Sequence, residues 1–208
     1  MTRALVLIDL QNDFLPGGAL AVPEGDQVIA VANQLQPHFQ HLFVTQDWHP
    51  ADHGSFAANH PGKRPGDRID LGGVPQILWP VHCVQDSPGA SLAADLQLPE
   101  SVSIIRKGTD PTIDSYSGFF DNARRQATGL QALLQAAGIR SVYLLGLATD
   151  YCVQFTALDA VSLGFDTYLI EDGCRGVNAQ PTDVADAITA MRSEGVIITH
   201  SSQITAAS

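Results

Sequence analysis

Six short apolar segments recur along the chain, and they constrain its fold more than any other feature. Each segment is an almost continuous run of apolar residues rather than an alternation of polar and apolar ones, which is typical of strands buried on both faces of a sheet. Strands of this kind belong to parallel sheets that are covered by helices on both sides. The predicted strands span residues 3–8, 41–45, 102–106, 141–145, 167–170 and 196–199.

Helical patterns separate several of these strands. Three of the predicted helices are followed by Gly138, Gly164 and Gly195, and glycine is a common residue just past the end of a helix. Alternating strands and helices predict a doubly wound α/β fold, with a six-stranded, mostly parallel sheet and right-handed crossovers. No repeat or low-complexity linker divides the chain, so residues 1–208 are predicted to form a single domain. The predicted helices span residues 26–35, 130–137, 151–163 and 182–192.

Composition excludes several classes of function. An apolar fraction of 45% is typical of a packed globular core and excludes disorder as the main state. The formal net charge is −11, and no run of Lys and Arg interrupts it, so neither nucleic acid nor an anionic membrane surface is an expected partner. No stretch approaches the roughly 18 apolar residues of a membrane span, and no signal peptide precedes the first strand. We therefore expect a soluble cytoplasmic protein, for which homo-oligomer formation remains open.

Reactive side chains follow four of the predicted strands at their carboxyl ends. Asp9 follows the first strand, Asp47 and His49 follow the second, and Lys107 follows the third. Cys152 comes after the fourth strand, at the end of a short turn. In an open parallel sheet the ligand crevice lies beyond the carboxyl ends of the strands. The sequence therefore predicts that these side chains meet in one site.

Cys152 is the candidate nucleophile. It opens a predicted helix, where the helix dipole and free backbone N–H groups favour an anion, whereas Cys174 has no such setting. An odd number of cysteines without a CxxC spacing argues against a disulfide framework and a structural zinc site. A carboxylate at Asp9 can take the thiol proton and return it, and the ammonium of Lys107 favours both negative groups. The alternative for Cys152 is a small buried hydrophobic residue. The alternative for Asp9 is a turn residue, and that for Lys107 is an ordinary solvated lysine.

Asp47 and His49 also form part of a candidate metal site. They lie two residues apart, on the same side of an extended segment, and His82 can join them from the long loop at residues 48–89. Two imidazoles and a carboxylate leave positions open for water and substrate, as in catalytic metal sites. The alternative is that these loop side chains only bind backbone groups. The predicted cofactor is one divalent metal ion, with zinc as the first choice and iron or manganese as alternatives.

Phe14, Trp79 and Tyr116 lie in predicted loops rather than in periodic core segments. They could line an aromatic pocket for a flat ring. Packing beneath the long loop is the alternative. The turn-rich segment at residues 108–119 could close over such a pocket.

These residues stand in ordered motifs that resemble those of a known family. Several ordered motifs in one chain are far more specific than any single motif. Over almost its whole length the chain resembles the nicotinamidases (pyrazinamidases) of the isochorismatase-like cysteine hydrolases. The motifs are LIDLQNDFLPGG at residues 7–18, TQDWHPADHGS at 45–55, WPVHC at 79–83, KGTDPTIDSYSGF at 107–119 and GLATDYC at 146–152.

The resemblance implies roles for the candidate residues. It implies a catalytic triad of Asp9, Lys107 and Cys152. It also implies a cis peptide between Leu147 and Ala148, which turns the N–H of Ala148 towards that of Cys152 to form an oxyanion hole. Family members differ in the fourth protein ligand of the metal, and water is expected in its place here. The implied metal ligands are Asp47, His49 and His82, and the implied pyridine-binding residues are Phe14, Trp79 and Tyr116.

The implied activity is hydrolysis of nicotinamide to nicotinate and ammonia, in NAD salvage, through a cysteine thioester. Pyrazinamide is an expected second substrate, because it keeps a ring nitrogen in the same relation to the amide. A related amidohydrolase acting on a carbamoyl or ureido substrate is one alternative, and a vinyl-ether hydrolase is another. A third alternative is a catalytically silent binding protein that has kept the fold.

Overall fold

A six-stranded parallel sheet forms the centre of the protein, whose computed structural model describes residues 2–205. Its strands are β1 (Arg3–Ile8), β2 (His41–Asp47), β5 (Ser103–Lys107), β6 (Ser141–Leu147), β7 (Asp166–Arg175) and β8 (Ile197–Thr199), and β3 (Arg68–Leu71) and β4 (Val74–Ile77) form a separate hairpin. The spatial order of the strands in the sheet is β5-β2-β1-β6-β7-β8. The order reverses between β1 and β6, and a ligand crevice is expected beyond the carboxyl ends of the strands at such a point.

Strand β1 lies at the centre of the sheet and is buried on both faces. It pairs in parallel with β2 on one side and β6 on the other. Residues 4–8 are all 0% exposed, as expected for a continuous apolar run between two helical layers. The predicted fold class, a doubly wound α/β sheet of six strands, is confirmed.

In the described part of the chain, four α-helices accompany the sheet. Their positions agree with the predicted ones to within three residues at each end. The largest difference is at the third helix, which begins at Gln154 rather than at residue 151 because a π-helical turn (Thr149–Val153) precedes it. No helix within residues 2–205 has the length and apolar character needed to cross a membrane. The helices are α1 (Gln27–Leu35), α2 (Leu130–Ala136), α3 (Gln154–Ser162) and α4 (Asp183–Ser193).

Several strands extend further than the sequence predicts. Strand β2 continues to Asp47 and β5 to Lys107, and these two residues are partners in the parallel ladder. Strand β7 continues to Arg175, with an irregular register between Leu144 and Gly146 of its neighbour β6. The extensions carry polar residues, which end an apolar run in the sequence but do not end backbone pairing.

The long loop at residues 48–89 contains the β3–β4 hairpin, which the sequence analysis missed. Gly72 and Gly73 form its two-residue turn, with φ of 63° and 87°. Two consecutive positive φ values are what a tight hairpin turn of this kind requires, and glycine adopts them without steric cost. A Gly-Gly pair between two short segments of alternating character was therefore a signal that could have identified the hairpin.

Candidate active site

Four predicted site residues meet at the carboxyl edge of the sheet, where the strand order reverses. The ammonium of Lys107 lies at their centre, with its Nζ 2.9 Å from Asp9 Oδ2, 2.5 Å from Asp47 Oδ1 and 3.3 Å from Cys152 Sγ. All four side chains are buried, and Asp9 is 0% exposed. Charged groups are costly to bury unless they are paired, and here one cation is paired with two carboxylates. The structure therefore assembles a compact charged cluster around a thiol.

Asp9 is placed by a turn of the backbone at the end of β1. Its φ is 52°, which takes the chain out of the sheet directly after Ile8. The hydroxyl of Thr45 donates a 2.5 Å hydrogen bond to Asp9 Oδ1, while Oδ2 faces Lys107. Thr45 was not identified from the sequence. Its position two residues before Asp47 in β2 puts both side chains on one face, which is the only signal it offered.

The buried charges determine the protonation of this cluster. Burial raises the pKa of Asp9, although Lys107 opposes the shift. Burial alone would lower the pKa of Lys107, but the carboxylates of Asp47 and Asp9 hold it well above its usual range. Lys107 is therefore a permanent cation, and Asp9 is a carboxylate that accepts a proton readily.

Cys152 rests as a thiol rather than as a thiolate. Burial raises its pKa well above the usual range, and the carboxylates of Asp9 and Asp47 add to the effect, whereas Lys107 opposes it. The prediction that a helix N-terminus favours a thiolate is not sufficient here, because Cys152 lies within the π-helical turn before α3 and is 7% exposed. A base must therefore remove the thiol proton before Cys152 can attack. The Sγ atom and one oxygen each of Asp9 and Asp47 lie within 4.8 Å of one another.

Asp47, His49 and His82 converge on the other side of the same cluster. His49 Nδ1 lies 2.8 Å from the carbonyl oxygen of Gly108, and His82 Nδ1 lies 2.8 Å from that of Pro80. A carbonyl only accepts, so both Nδ1 atoms carry a proton, and Nε2 is the ring nitrogen of each histidine that can bind a metal. This second hydrogen bond is typical of histidines that bind metals.

The spacing of the three ligand atoms fits a divalent metal. The Nε2 atoms of His49 and His82 lie 3.7 and 4.0 Å from Asp47 Oδ2. Metal–ligand bonds of about 2.0–2.2 Å would place tetrahedral ligand atoms about 3.4 Å apart, so small side-chain shifts suffice. Burial and the neighbouring His49 lower the pKa of His82 to about 4, which keeps its imidazole neutral. The donor set, with an open side towards the pocket, is that of a catalytic metal site.

Asp47 belongs both to the charged cluster around the Cys152 thiol and to the candidate metal ligands. Its Oδ1 is paired with Lys107 and its Oδ2 faces the two histidines. Burial would raise its pKa, but Lys107 and His49 together hold the pKa of Asp47 well below its usual range. Asp47 is therefore a carboxylate that connects the thiol cluster to the candidate metal ligands.

Gly108 makes room for the ring of His49. A Cβ atom at Gly108 would lie 2.4 Å from His49 Cε1, and the φ of Gly108 is 65°. Replacing Gly108 with alanine should therefore displace His49 and lower the affinity for zinc by a factor of about 10 to 100. Competition with a chromogenic chelator measures this affinity.

Gly138 provides the matched control for this prediction. It has the same φ of 65°, but a Cβ atom there would meet nothing within 4 Å. Gly138→Ala should therefore cost stability through backbone strain alone and leave zinc affinity unchanged. Equal zinc affinities in the two variants would contradict the steric argument.

An aromatic pocket opens beside Cys152. Phe14, Trp79 and Tyr116 line it, as predicted, and they share it with the metal-ligand set. The indole N–H of Trp79 donates to the hydroxyl of Tyr116 at 3.1 Å, which fixes the two rings relative to each other. Apolar walls around a few convergent polar groups are typical of a small-molecule site. The remaining lining residues are Leu20, Val22, Asp114, Ala148, Tyr151 and Val177.

Several polar residues next to the aromatic side chains of the pocket were not predicted from the sequence. Asp114 is 3% exposed and lines the pocket, and Gln76 of the hairpin lies 2.9 Å from it and 3.0 Å from the Tyr116 hydroxyl. Two further histidines lie in the long loop: His53 is buried, with its ring centroid 4.3 Å from that of His49, and His60 hydrogen-bonds the carbonyl of Gly54. Hydrophobic periodicity gives no signal for such groups, because they lie in irregular segments.

The backbone at Ala148 has the implied conformation. The peptide between Leu147 and Ala148 is cis, as the family resemblance implies. The carbonyl of Ala148 accepts hydrogen bonds from the N–H groups of Tyr151 and Val153, both at 3.1 Å. Gly146 is required just before it, because a Cβ atom there would lie 2.1 Å from the carbonyl oxygen of Ile8. Ala148 and Cys152 both line the aromatic pocket.

Together, the fold and the site define a class of protein: a hydrolase with a doubly wound parallel sheet and a buried cysteine beside a candidate metal-ligand set. The isochorismatase domain model matches residues 3–203. The chain therefore belongs to the isochorismatase domain family.

Individual relatives agree with this assignment. The chain is 51% identical over 200 residues to a nicotinamidase of Escherichia coli, covering 94% of this chain and 93% of that one. The structure of a nicotinamidase/pyrazinamidase from Acinetobacter baumannii superposes with a TM-score of 0.94 at 46% identity, covering 98% of each chain. A pyrazinamidase of Pyrococcus horikoshii, solved in complex with zinc, superposes with a TM-score of 0.79 at 39% identity, covering 96% of this chain and 99% of that one.

Proposed function

We propose that the protein is a nicotinamidase, which hydrolyses nicotinamide to nicotinate and ammonia in NAD salvage and also deamidates pyrazinamide. One observation carries this proposal: the Cys152 thiol shares a small aromatic pocket with three side chains that could hold a metal ion. Nicotinamide is a planar ring whose carboxamide is meta to the ring nitrogen, so it can present the carboxamide to the thiol and the nitrogen to the metal. The 51% identity to the E. coli nicotinamidase supports the same substrate.

Asp47, His49 and His82 would hold one divalent metal ion. When bound, the ion supplies a Lewis acid that orients and polarises a pyridine ring through its nitrogen. Zinc is the first choice, since the P. horikoshii relative was solved with zinc, and iron and manganese suit the same ligands. Phe14, Trp79 and Tyr116 would enclose the ring and orient the carboxamide towards Cys152.

The first half of the reaction forms a thioester. Asp9 takes the thiol proton, and the Cys152 sulfur attacks the carboxamide carbon. The N–H groups of Ala148 and Cys152 bind the oxyanion that develops, each contributing about 3 kcal/mol to the transition state. The C–N bond then breaks, and Asp9 gives its proton to the departing ammonia. The raised pKa of Asp9 suits it to hold this proton between the two steps.

The second half of the reaction hydrolyses the thioester. Asp9 takes a proton from water, the resulting hydroxide attacks the thioester carbon, and the C–S bond breaks. Asp9 returns its proton to the Cys152 sulfur, and the product acid gives up the second water proton to solvent and leaves as nicotinate. Lys107 remains charged throughout and stabilises both the Asp9 carboxylate and the transient thiolate.

Ammonia release by the purified protein tests the proposal. Nicotinamide should be hydrolysed by the metal-loaded protein, activity should fall at least tenfold after chelation, and added zinc, iron or manganese should restore it. Activity that does not respond to complete metal removal would contradict the role of the Asp47, His49 and His82 set. The cytoplasmic location, the single-domain organisation and homo-oligomer formation remain predictions.

Comparison of substrates distinguishes the alternatives. Turnover of a carbamoyl or ureido compound, without turnover of nicotinamide, would favour the related amidohydrolases. Ligand binding without any turnover, together with ordinary thiol reactivity of Cys152, would favour a silent binding protein. A vinyl-ether hydrolase has no need of a cysteine nucleophile, so the buried Cys152 with its base argues against that alternative.

A further inference from the structure

The segment Gln11, Asn12 and Asp13 has no part in the reaction proposed above, although it lies between Asp9 and Phe14 in the first sequence motif. We infer that Gln11 and Asp13 are positioning residues for the metal ligands. Gln11 fixes the backbone of Asp47, and Asp13 fixes the segment that carries His82. The inference rests on the proposed metal site, but not on the identity of the substrate.

The side chain of Gln11 hydrogen-bonds the backbone of Asp47 on the side where β1 does not reach it. Strand β1 ends at Ile8, and the chain turns away at Asp9, so no β1 residue pairs with the last residue of β2. The carboxamide of Gln11 takes that place: its Nε2 donates to the Asp47 carbonyl at 2.8 Å, and its Oε1 accepts from the Asp47 N–H at 2.8 Å. Gln11 is 0% exposed, and its Nε2 also donates to the carbonyl of Ala90 at 2.9 Å.

This two-point contact fixes Asp47 from the side opposite to β5. On the β5 side, Asp47 is already in register with Lys107, and the Trp48 N–H donates to the Lys107 carbonyl at 2.9 Å. The backbone of Asp47 is therefore held between a strand and a side chain. Since Oδ1 of Asp47 is paired with Lys107, a fixed backbone directs Oδ2 towards His49 and His82.

Asp13 holds the backbone next to His82. Its Oδ2 accepts a 2.7 Å hydrogen bond from the N–H of Cys83, whose φ of 45° is rare for a residue with a side chain. Its Oδ1 accepts from the N–H of Ala19 at 3.2 Å. Gly89 allows this arrangement, because a Cβ atom there would lie 2.1 Å from Asp13 Oδ2.

The contact of Asp13 extends to the second histidine. The carbonyl of Cys83 accepts a 3.0 Å hydrogen bond from the N–H of His49. One carboxylate therefore fixes Cys83, the residue that follows His82 and whose carbonyl binds the backbone of His49. Loops hold ligands less precisely than strands do, and groups that orient metal ligands in this way commonly contribute a factor of 10 to 100 to metal affinity.

Asn12 is the matched control within the same segment. Its side chain is exposed and donates one 2.8 Å hydrogen bond to the carbonyl of Pro88, away from the ligand-bearing residues. The three side chains thus bind loop backbone in the same way, but only Gln11 and Asp13 bind peptides that carry or adjoin metal ligands.

The test compares zinc affinity in Gln11→Met, Asp13→Ala and Asn12→Ala with the unchanged protein. Competition with a chromogenic chelator gives each dissociation constant in the absence of substrate, and thermal melting of the metal-free proteins reports folding. We expect zinc binding to weaken at least tenfold in Gln11→Met and in Asp13→Ala, and by less than about twofold in Asn12→Ala. A purely structural role would lower the melting temperature without changing zinc affinity well below it.

Folded Gln11→Met and Asp13→Ala proteins with unchanged zinc affinity would overturn the inference. If either variant fails to fold, Asp13→Asn keeps an acceptor for the Cys83 N–H and Gln11→Glu keeps one for the Asp47 N–H. Asp13→Asn should then retain most of the affinity, whereas Gln11→Glu, which cannot donate to the Asp47 carbonyl, should lose about tenfold. Because no substrate is present, failure to hydrolyse nicotinamide would leave this inference intact, whereas failure of the unchanged protein to bind zinc, iron or manganese would overturn the proposed metal site and this inference with it.

Discussion

Replacing Cys152 with alanine is expected to lower kcat for ammonia release from nicotinamide by a factor on the order of 10⁴ or more. No other nucleophile is in place to form the thioester, because the remaining groups of the cluster are two carboxylates and an ammonium. Substrate binding should persist, since the aromatic and metal-binding walls of the pocket are untouched. Steady-state kinetics and a binding titration with nicotinamide measure the two effects separately.

Cys174 is the control for this prediction. It is buried, like Cys152, and its thiol donates to the carbonyl of Ile170 at 3.4 Å. Burial raises the pKa of Cys174 to about 12, so it remains a thiol and has no neighbouring ammonium to change that. Cys174→Ala should cost stability through lost packing and leave kcat within about threefold. A Cys152→Ala protein that still releases ammonia at a comparable rate would eliminate the thioester mechanism.

The central architecture could be predicted because burial on two faces leaves a direct mark on sequence. The run at Arg3–Ile8 is apolar at nearly every position, since both faces of β1 pack against helices. The hairpin at Arg68–Leu71 and Val74–Ile77 lies outside this core and has mixed exposure, so its strands have no comparable apolar run. Its signal was in the glycine turn alone.

The thiol cluster could be predicted because topology, rather than contact, brings its members together. Asp9, Lys107 and Cys152 each follow a strand, and the carboxyl ends of parallel strands meet at one edge. His82 and Trp79 are different, because isolated bridges between irregular segments place them: His49 pairs with Val84, and Phe56 with Trp79. Such pairings have no periodicity, so residue type alone made these two residues candidates, and the family resemblance gave them their roles.

The protonation state of Cys152 could not be predicted from sequence. A helix N-terminus favours a thiolate, whereas full burial beside two carboxylates favours a thiol. The balance depends on distances among side chains from four strands, and burial raises the pKa of Cys152 against the opposition of Lys107. The two hydrogen bonds between Gln11 and the Asp47 backbone could not be predicted either, because they depend on the residue at which β1 leaves the sheet.

Replacing Lys107 with methionine is expected to have the largest effect on stability. Methionine keeps the length of the side chain but removes the cation that neutralises Asp9 and Asp47, and two carboxylates would remain buried without a partner. Removing one member of a buried ion pair typically costs about 3 to 5 kcal/mol. Urea unfolding of the metal-free protein measures the free energy of unfolding. Lys63→Met is the control, because Lys63 is exposed and its replacement should change stability by less than about 0.5 kcal/mol.

The cause of this loss can be separated from lost packing by pH and by a second substitution. The pKa of Asp9 is already raised by burial against the opposition of Lys107, and without Lys107 it should rise further. A carboxyl group whose pKa is higher in the folded than in the unfolded protein destabilises the fold increasingly as pH rises through its folded pKa. The deficit of Lys107→Met should therefore shrink as pH is lowered and Asp9 binds a proton. Adding Asp9→Asn should recover part of the stability at neutral pH without restoring activity, and a deficit independent of both pH and Asp9 would show that lost packing, rather than uncompensated charge, is the cause.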